Sequence, residues 1–251
     1  MKEFPIGLCS VSFRKHTPTE ILEAMKQAGL SRIEWGSDIH APADQPERLS
    51  LLAELQKTYG VTCSSYGTYF KAGVHRTDEL MPFIQAAKRL GTSTLRIWAG
   101  EKNSEEFTET EKDLLFKDCR QLATIAEQEE VTLCTECHNK TYTNRFQSAL
   151  ELIHTVDSPY FQTYWQPNQF RDEEYNLTAA SALSPFTKSI HVFHWLEKEK
   201  LPLADGTEQW AKYLSRFSAD KSLLLEFMPD GRLESLTNET NALRSILEKL
   251  K

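Results

Sequence analysis

The stretch Val131-Thr-Leu-Cys-Thr-Glu136-Cys-His138-Asn139 contains a short run of apolar and β-branched residues, then an acid, and then a histidine two residues further on. The apolar run is typical of a buried strand, and the polar residues mark its end. An acid at the end of a buried strand needs a cation, a hydrogen-bond donor or a ligand, because an unpaired buried charge is costly. The stretch therefore predicts a buried strand whose carboxyl end forms part of a functional site.

Three other predicted strands end in comparable groups. They are Trp165-Gln166-Pro167-Asn168, His191-Val-Phe-His194-Trp195 and Leu225-Glu226-Phe227. A closed barrel of parallel strands would direct all four ends to a common centre, since such barrels place their functional groups at the carboxyl ends of the strands.

Eight apolar runs alternate with amphipathic stretches along the chain, and the turns between them are short. Helix signals separate the runs; the first is the capping box Thr17-Pro18-Thr19-Glu20, with Gly29 as the stop. An open doubly wound sheet would usually carry a glycine-rich phosphate turn after its first strand, and Ser10-Val-Ser-Phe-Arg14 is not one. The pattern predicts an α/β chain with one domain over residues 1–251, a (β/α)8 TIM barrel.

The charge and apolar content of the chain indicate which classes of binding partner to expect. The 251 residues are 40% hydrophobic and 26% charged, with a net charge of −7 and no basic run. This balance opposes binding to nucleic acid. The chain has no apolar stretch long enough to span a membrane, and its first residues lack the apolar core of a secretory signal. We expect a cytoplasmic protein without a nucleic-acid or membrane partner.

The cysteines do not favour a redox or zinc motif. Cys134 and Cys137 form the spacing CxxC, but residues three apart on a strand point to opposite faces, and the chain has no second CxxC. The five cysteines are predicted to be buried structural thiols.

Two carboxylates lie three strands apart around the predicted barrel, Glu136 and Glu226. Facing each other across the barrel mouth, they would not both stay ionised unless a cation lay between them. Oxygen ligands with one imidazole suit Mn²⁺ or Mg²⁺, with Zn²⁺ or Co²⁺ as alternatives. We therefore predict a divalent metal site formed by Glu136, Gln166, His191 and Glu226.

Each of these residues also has an ordinary structural interpretation. A single strand-end histidine is more often a packing residue than a ligand, and a single glutamine is usually structural. Tryptophans such as Trp35 and Trp98 either belong to the core or line a sugar pocket. The joint placement of the four polar groups at successive strand ends is what favours a metal site.

The order of these motifs resembles the xylose isomerase-like superfamily of TIM barrels, which includes sugar phosphate isomerases and epimerases. Members of the epimerase branch carry metal-binding Glu, Asp, His and Glu after strands five to eight, and those positions fall on the four predicted ligands. Further similarities are Glu136-Cys-His138 and the segment Leu203-Ala-Asp-Gly206. The chain departs from the family at Gln166, where most relatives have Asp.

The resemblance implies a metal-dependent sugar isomerase or epimerase that transfers a proton next to a sugar carbonyl through an enediolate. Glu136 and Glu226 would be the catalytic acid and base, on opposite faces of the substrate. The resemblance also implies substrate contacts from Trp35, Tyr66, Arg96, Trp98, His138 and His194.

Other activities fit the same pattern. A metal-dependent sugar or inositol dehydratase would use the same site, and a catalytically inactive sugar-binding barrel would keep the pocket without the chemistry. A type IV endonuclease is disfavoured, because its three-metal site needs more His and Asp ligands. The expected partner is a small sugar or polyol. The sequence leaves the oligomeric state open, and a homodimer is the commonest arrangement among such enzymes.

Overall fold

Eight parallel strands close into a barrel in the computed structural model, which describes residues 4–250. The barrel strands are β1 (Ile6–Cys9), β2 (Arg32–Gly36), β3 (Thr62–Ala72), β4 (Thr94–Ala99), β5 (Thr132–Glu136), β6 (Phe161–Trp165), β7 (Thr187–Val192) and β10 (Ser222–Leu225). Two further short strands, β8 (His194–Leu196) and β9 (Glu199–Leu201), form a separate antiparallel hairpin. The predicted (β/α)8 barrel is confirmed.

Helices lie between successive strands and cover the outside of the barrel. They are α1 (Pro18–Ala28), α2 (Pro46–Tyr59), α3 (Met81–Leu90), α4 (Glu109–Gln128), α5 (Phe146–Val156), α6 (Glu173–Leu183), α7 (Thr207–Leu214) and α8 (Leu236–Glu248). The capping box of α1 forms as predicted, with Thr17 and Glu20 each bonding the other's backbone N–H, and Gly29 ends the helix at φ 67°. Within residues 4–250 none of these helices combines the length and apolar character needed to cross a bilayer.

The apolar core has two parts. The larger part lies between the strands and the surrounding helices. The smaller part fills the barrel interior and contains Cys9, Val11, Cys134, Tyr164 and Leu224. Because strand residues alternate between the two faces, the strands that bury these apolar side chains also direct polar side chains into the barrel mouth. Apolar side chains therefore fill the barrel interior, and polar side chains lie at the carboxyl ends of the strands.

The five cysteines are free thiols; four of them are buried as predicted, whereas Cys137 is only half-buried. Cys134 is buried in the barrel interior, and Cys137 is half-buried beside Thr163. Burial raises the pKa of the Cys137 thiol to about 12, so it stays protonated at neutral pH.

Two segments differ from the predicted elements. The apolar run Val61-Thr-Cys-Ser-Ser-Tyr66 predicts a strand that ends at Tyr66, but β3 continues to Ala72, and its register against β4 shifts between Gly67 and Lys71. The polar stretch from Glu197 to Gly206 predicts a loop after the seventh barrel strand, but β9 of the hairpin β8–β9 lies within it. The chain reversal of this hairpin places Glu197 at φ 53°, a conformation for which glycine or asparagine is the usual signal. Neither residue occurs at that turn, which is why the sequence pattern did not reveal the hairpin.

Candidate functional site

The four predicted metal ligands come together at the carboxyl ends of four neighbouring barrel strands. The Nδ1 atom of His191 lies 2.9 Å from Oε1 of Gln166. It lies 3.4 Å from Oε2 of Glu226 and 3.6 Å from Oε1 of Glu136. One imidazole nitrogen therefore faces three side-chain oxygen atoms.

This donor set fits a divalent cation. Ligand atoms of Glu136, His191 and Glu226 all lie within 4.8 Å of one another. Metal–oxygen distances of about 2.1 Å place adjacent ligands of an octahedral ion about 3 Å apart, close to the separations found here. A protonated Nδ1 donates to Gln166, whereas an unprotonated Nδ1 turns its lone pair toward three oxygen atoms, an arrangement that a cation stabilises. The imidazole and the oxygen donors suit Mn²⁺, Mg²⁺, Zn²⁺ or Co²⁺.

A buried arginine holds the carboxylate of Glu136 in place. Arg96 on β4 is only 3% exposed, and its guanidinium pairs with Glu136 Oε2 at one end. At its other end Nε donates to Oε1 of Glu34 over 3.1 Å. The indole N–H of Trp98 donates to the same Glu136 oxygen over 3.1 Å. One oxygen of Glu136 is thus fully occupied by protein donors, while the other faces His191.

The three glutamates experience different electrostatic environments. Burial alone would raise the pKa of Glu34, but Arg96 and His191 outweigh it and hold that pKa at about 2. The same balance between burial and Arg96 places the pKa of Glu136 far below its usual range. Glu226 has no such partner, and burial raises its pKa although His191 lies nearby. Glu34 and Glu136 are thus favoured in the ionised form, and Glu226 takes up a proton more readily.

The charge of this buried cluster depends on the protonation of His191 and Glu226. Burial alone would lower the pKa of His191, but the neighbouring Cys9, Glu226 and Glu136 outweigh it and raise that pKa well above its usual value. With His191 neutral, as a metal ligand must be, and with Glu34, Glu136 and Glu226 ionised beside Arg96, two negative charges are uncompensated, three minus one. A divalent cation would balance them. The charge count and the donor geometry therefore lead to the same conclusion, that these residues can hold one divalent ion.

A cavity of about 300 Å³ opens above the ligand set. Its walls include Glu136, Gln166 and Glu226. The aromatic residues of its walls are Tyr69, Trp98, Phe146, Trp165, Tyr175, Phe193, Trp195 and Phe227. A pocket of this size lined by aromatic rings and a few polar groups is typical of a small-molecule site.

Three of the predicted substrate-contacting residues line this cavity: Arg96, Trp98 and His138. The rings of Trp98 and His138 stack with centroids 4.9 Å apart and planes tilted by 21°. Arg96 also contacts Glu136 and Glu34, so its donors are directed at carboxylates.

The structure places the other three predicted substrate contacts away from the cavity wall. Trp35 and Tyr66 are fully buried under the helices, where the indole N–H of Trp35 donates to Gln56 over 2.7 Å and the hydroxyl of Tyr66 donates to the Ala41 carbonyl over 2.6 Å. Trp35 on β2 pairs with Tyr66 on β3, so both side chains are on the same face of the sheet. This is the outward face, because the side chain of the preceding residue Glu34 points into the barrel.

His194 packs against Gly206 instead of the cavity. A Cβ atom at position 206 would lie 2.6 Å from the Nδ1 atom of His194, so only glycine admits the ring there. Strand β7 ends at Val192 and His194 opens the hairpin, three residues after the inward-facing His191. The imidazole therefore points away from the site, and the predicted substrate contact does not fit this position.

Several site residues were not among the predicted ones. Glu34 interrupts an apolar strand in the same way as Glu136, and that signal could have identified it. Trp195 comes to the cavity through the hairpin β8–β9. Phe227 follows Glu226 directly and has φ 56°, an uncommon conformation for a bulky residue. Its N–H donates to the Ser12 hydroxyl over 2.9 Å, which fixes the turn that presents Glu226.

Gly67 on β3 allows the arginine–carboxylate network to form. A Cβ atom at this position would lie 2.8 Å from both a guanidinium nitrogen of Arg96 and Oε1 of Glu34. We expect Gly67→Ala to lower the free energy of unfolding by about 1–3 kcal/mol through overpacking. Urea unfolding would measure this, with Ser64→Ala on the same strand as the control, for which a loss of at most about 1 kcal/mol is expected. Equal losses in the two variants would contradict the role assigned to Gly67.

One curated protein resembles this chain in sequence. The 3-dehydroshikimate dehydratase of Bacillus anthracis is 25% identical over 165 residues, which cover 61% of this chain and 58% of that protein. The chain thus matches less than two thirds of the length of this relative.

Solved structures share the fold along nearly the whole chain. A probable 3-DHS dehydratase involved in petrobactin synthesis from Bacillus anthracis superposes with a TM-score of 0.80 at 18% identity, covering 97% of this chain and 99% of the other. An L-ribulose 3-epimerase has a TM-score of 0.73 at 16% identity, with coverages of 98% and 95%. The IOLI protein with a bound zinc atom has a TM-score of 0.76 at 16% identity, covering 99% of each chain.

The sequence also matches a family profile. The profile describes the xylose isomerase-like TIM barrel and matches residues 22–244, most of the chain. The resemblance inferred from the order of the strand-end motifs is confirmed, and this chain belongs to the xylose isomerase-like TIM barrel family.

Proposed function

We propose that this protein is a divalent-metal-dependent sugar isomerase or epimerase that moves a proton next to the carbonyl group of its substrate. The observation that carries the proposal is the convergence of Glu136, Gln166, His191 and Glu226 beneath an aromatic cavity. An ion held by these four residues would polarise a substrate carbonyl and balance the excess negative charge. The epimerases among the structurally similar proteins support the same choice.

Glu226 is the residue best placed to take the proton. Within residues 4–250 no hydrogen bond from the protein reaches its carboxylate, and Nδ1 of His191 lies 3.4 Å from Oε2. Its carboxylate lines the cavity. A carboxylate that faces the substrate without a competing protein donor is suited to general base catalysis.

The carboxylate of Glu136 is held more firmly than that of Glu226. Arg96 and Trp98 both donate to its Oε2 atom, so this side chain serves as a fixed anion and ligand. A single free carboxylate can move a proton between adjacent carbons on one face of the substrate, which is an isomerisation. An epimerisation with groups on opposite faces would use the other oxygen of Glu136, Oε1, which faces His191. The predicted acid–base pair of Glu136 and Glu226 stays a prediction.

The stacked rings of Trp98 and His138 form one wall of the binding site in this proposal. Flat apolar surfaces pack against the C–H faces of sugars, while a neighbouring imidazole provides a hydrogen bond to a hydroxyl group. The His138 Nδ1 atom is occupied by the carbonyl of Asn139 at 2.5 Å, which orients the ring. The Nε2 atom of His138 is then the one that would contact the substrate.

A metal-dependent dehydratase is the second candidate. Elimination of water needs one carboxylate that removes the proton next to a carbonyl and then returns it to the departing hydroxyl group, and Glu226 is such a carboxylate. The similarity to a 3-dehydroshikimate dehydratase supports this alternative. A binding protein without catalysis is the third outcome that the experiments must separate.

Metal binding is the first test. Chelator-treated protein titrated calorimetrically with Mn²⁺, Mg²⁺, Co²⁺ and Zn²⁺ is expected to bind one ion per chain, and Glu226→Ala is expected to weaken or abolish that binding. The loaded protein is then incubated with a panel of aldoses, ketoses, inososes and 3-dehydroshikimate. Nuclear magnetic resonance and mass spectrometry distinguish an isomer, which keeps the substrate mass, from a product that has lost water. Absence of ion binding under every condition would overturn the proposed function.

A further inference from the structure

We propose that Glu34 is a positioning residue for the metal centre: it accepts the Nε2 proton of His191 and anchors Arg96, and so aligns two metal ligands at once. The inference rests on the metal site of the proposed function. Glu34 itself does not line the cavity, and it acts through its two neighbours.

The first observation is an unsatisfied buried nitrogen. His191 is completely buried, and its Nε2 atom has no hydrogen-bond partner among residues 4–250. Oε1 of Glu34 lies 3.7 Å from this nitrogen. A buried N–H group without an acceptor costs about 1–3 kcal/mol, so a shift of less than one ångström that completes this bond is favourable. The side chain of Cys9 also approaches Oε1 of Glu34, at 3.7 Å, but as a thiol it is a donor there.

The second observation concerns the tautomer of His191. A neutral imidazole carries one proton, and the other nitrogen presents a lone pair. With the proton on Nε2, facing Glu34, the Nδ1 lone pair faces the oxygen atoms of the ligand set. With the proton on Nδ1, the Nε2 lone pair would face the carboxylate of Glu34, which is repulsive. The Glu34 carboxylate therefore selects the tautomer that can bind an ion, the relation found for metal-bound histidines in general.

The third observation is that Glu34 is itself held firmly. It is 1% exposed, and the hydroxyl of Ser65 donates to its Oε2 atom over 2.9 Å. Nε of Arg96 donates to its Oε1 atom, and the far side of the same guanidinium pairs with Glu136. One carboxylate on β2 thus fixes a ligand on β7 directly and a ligand on β5 through an arginine.

The test compares Glu34→Gln with the wild type in two measurements. Calorimetric titration with Mg²⁺ and Zn²⁺ is expected to show an affinity about 10–100-fold weaker in the variant, as is common when the partner of a metal-bound histidine is lost. In the metal-free protein with ¹⁵N-labelled histidine, a slowly exchanging Nε2 proton of His191 is expected in the wild type, and it is expected to exchange faster in Glu34→Gln, because a neutral amide oxygen is a weaker acceptor than a carboxylate. A His191→Asn variant assigns that signal.

Two further variants complete the design. Glu34→Asp keeps the charge but withdraws it by one methylene group, and it is expected to weaken ion binding in the same direction if Glu34→Gln does not fold. Asp38→Asn removes a carboxylate that pairs with Arg14 outside the ligand set, and it is expected to leave ion affinity within about twofold.

The outcomes separate the two proposals. A wild type that binds an ion, with Glu34→Gln equal to it in affinity and in the His191 signal, would overturn the positioning role while leaving the metal site intact. A wild type that binds no ion would overturn the proposed function. In that case the Nε2 proton signal of the metal-free protein still decides whether Glu34 orients His191.

Discussion

Replacing Arg96 with methionine is expected to lower the free energy of unfolding by about 3–5 kcal/mol, the usual cost of removing one partner from a buried ion pair. Arg96 is 3% exposed and bridges the carboxylates of Glu34 and Glu136. Without the guanidinium, two buried carboxylates would face each other and a third lies nearby. They would have to take up protons or draw water into the barrel, and either response destabilises the folded chain.

Urea unfolding in a chelating buffer measures this effect without a contribution from bound ions. Arg14→Met is the matched control, since Arg14 pairs with Asp38 at a partly exposed position and is expected to cost at most about 1 kcal/mol. Combining Arg96→Met with Glu34→Gln is expected to recover part of the loss by removing one of the unpaired charges. A loss below about 1 kcal/mol for Arg96→Met alone would show that the bridge contributes little to stability.

Glu226→Gln is expected to reduce the turnover number about 10²–10⁴-fold on any sugar that the wild type converts, the usual contribution of a general acid–base group. The amide cannot take a proton from carbon, although its oxygen can still face an ion. Turnover is therefore compared at saturating metal concentration, so that weaker ion binding does not enter the result. Exchange of the proton next to the carbonyl with deuterium from the solvent provides a second measurement.

Glu239→Gln serves as the control for the same chemical change. Glu239 is also a buried acid, but it lies outside the cavity lining. It accepts a hydrogen bond from the Leu203 N–H, and an amide oxygen can keep that bond. Turnover of this variant is expected to stay within about twofold of the wild type. Full exchange activity in Glu226→Gln would exclude Glu226 as the base and direct attention to Glu136.

The fold could be predicted because a parallel barrel leaves a strong signal in sequence. Its strands are buried on both faces and read as short apolar runs, and each following helix has its own start and stop residues. The four ligands could be predicted for the same reason, since a polar residue at the end of such a run needs a partner. In the structure β5 ends at Glu136, and Gln166 directly follows Trp165, the last residue of β6.

The pocket walls were harder to predict. Strand residues alternate between two faces, but the sequence does not determine which face points into the barrel. Trp35 is next to Glu34, so only one of the two can point inward, and the buried carboxylate takes that side. The same alternation sends Tyr66 outward. Trp195 reaches the cavity only because a hairpin forms where the sequence lacks the usual turn residues. These assignments depend on tertiary contacts that periodicity does not encode.

The distribution of the charged cluster along the chain has a consequence for folding. Glu34, Arg96, Glu136, His191 and Glu226 come from β2, β4, β5, β7 and the turn after β10, so that no continuous half of the chain contains the complete set. A partly folded barrel would expose unmatched charges that only the last strand to dock can bring together. We therefore expect the cluster to make barrel closure more cooperative, and the proposed ion site is complete only when β7 and the turn after β10 have joined β2, β4 and β5.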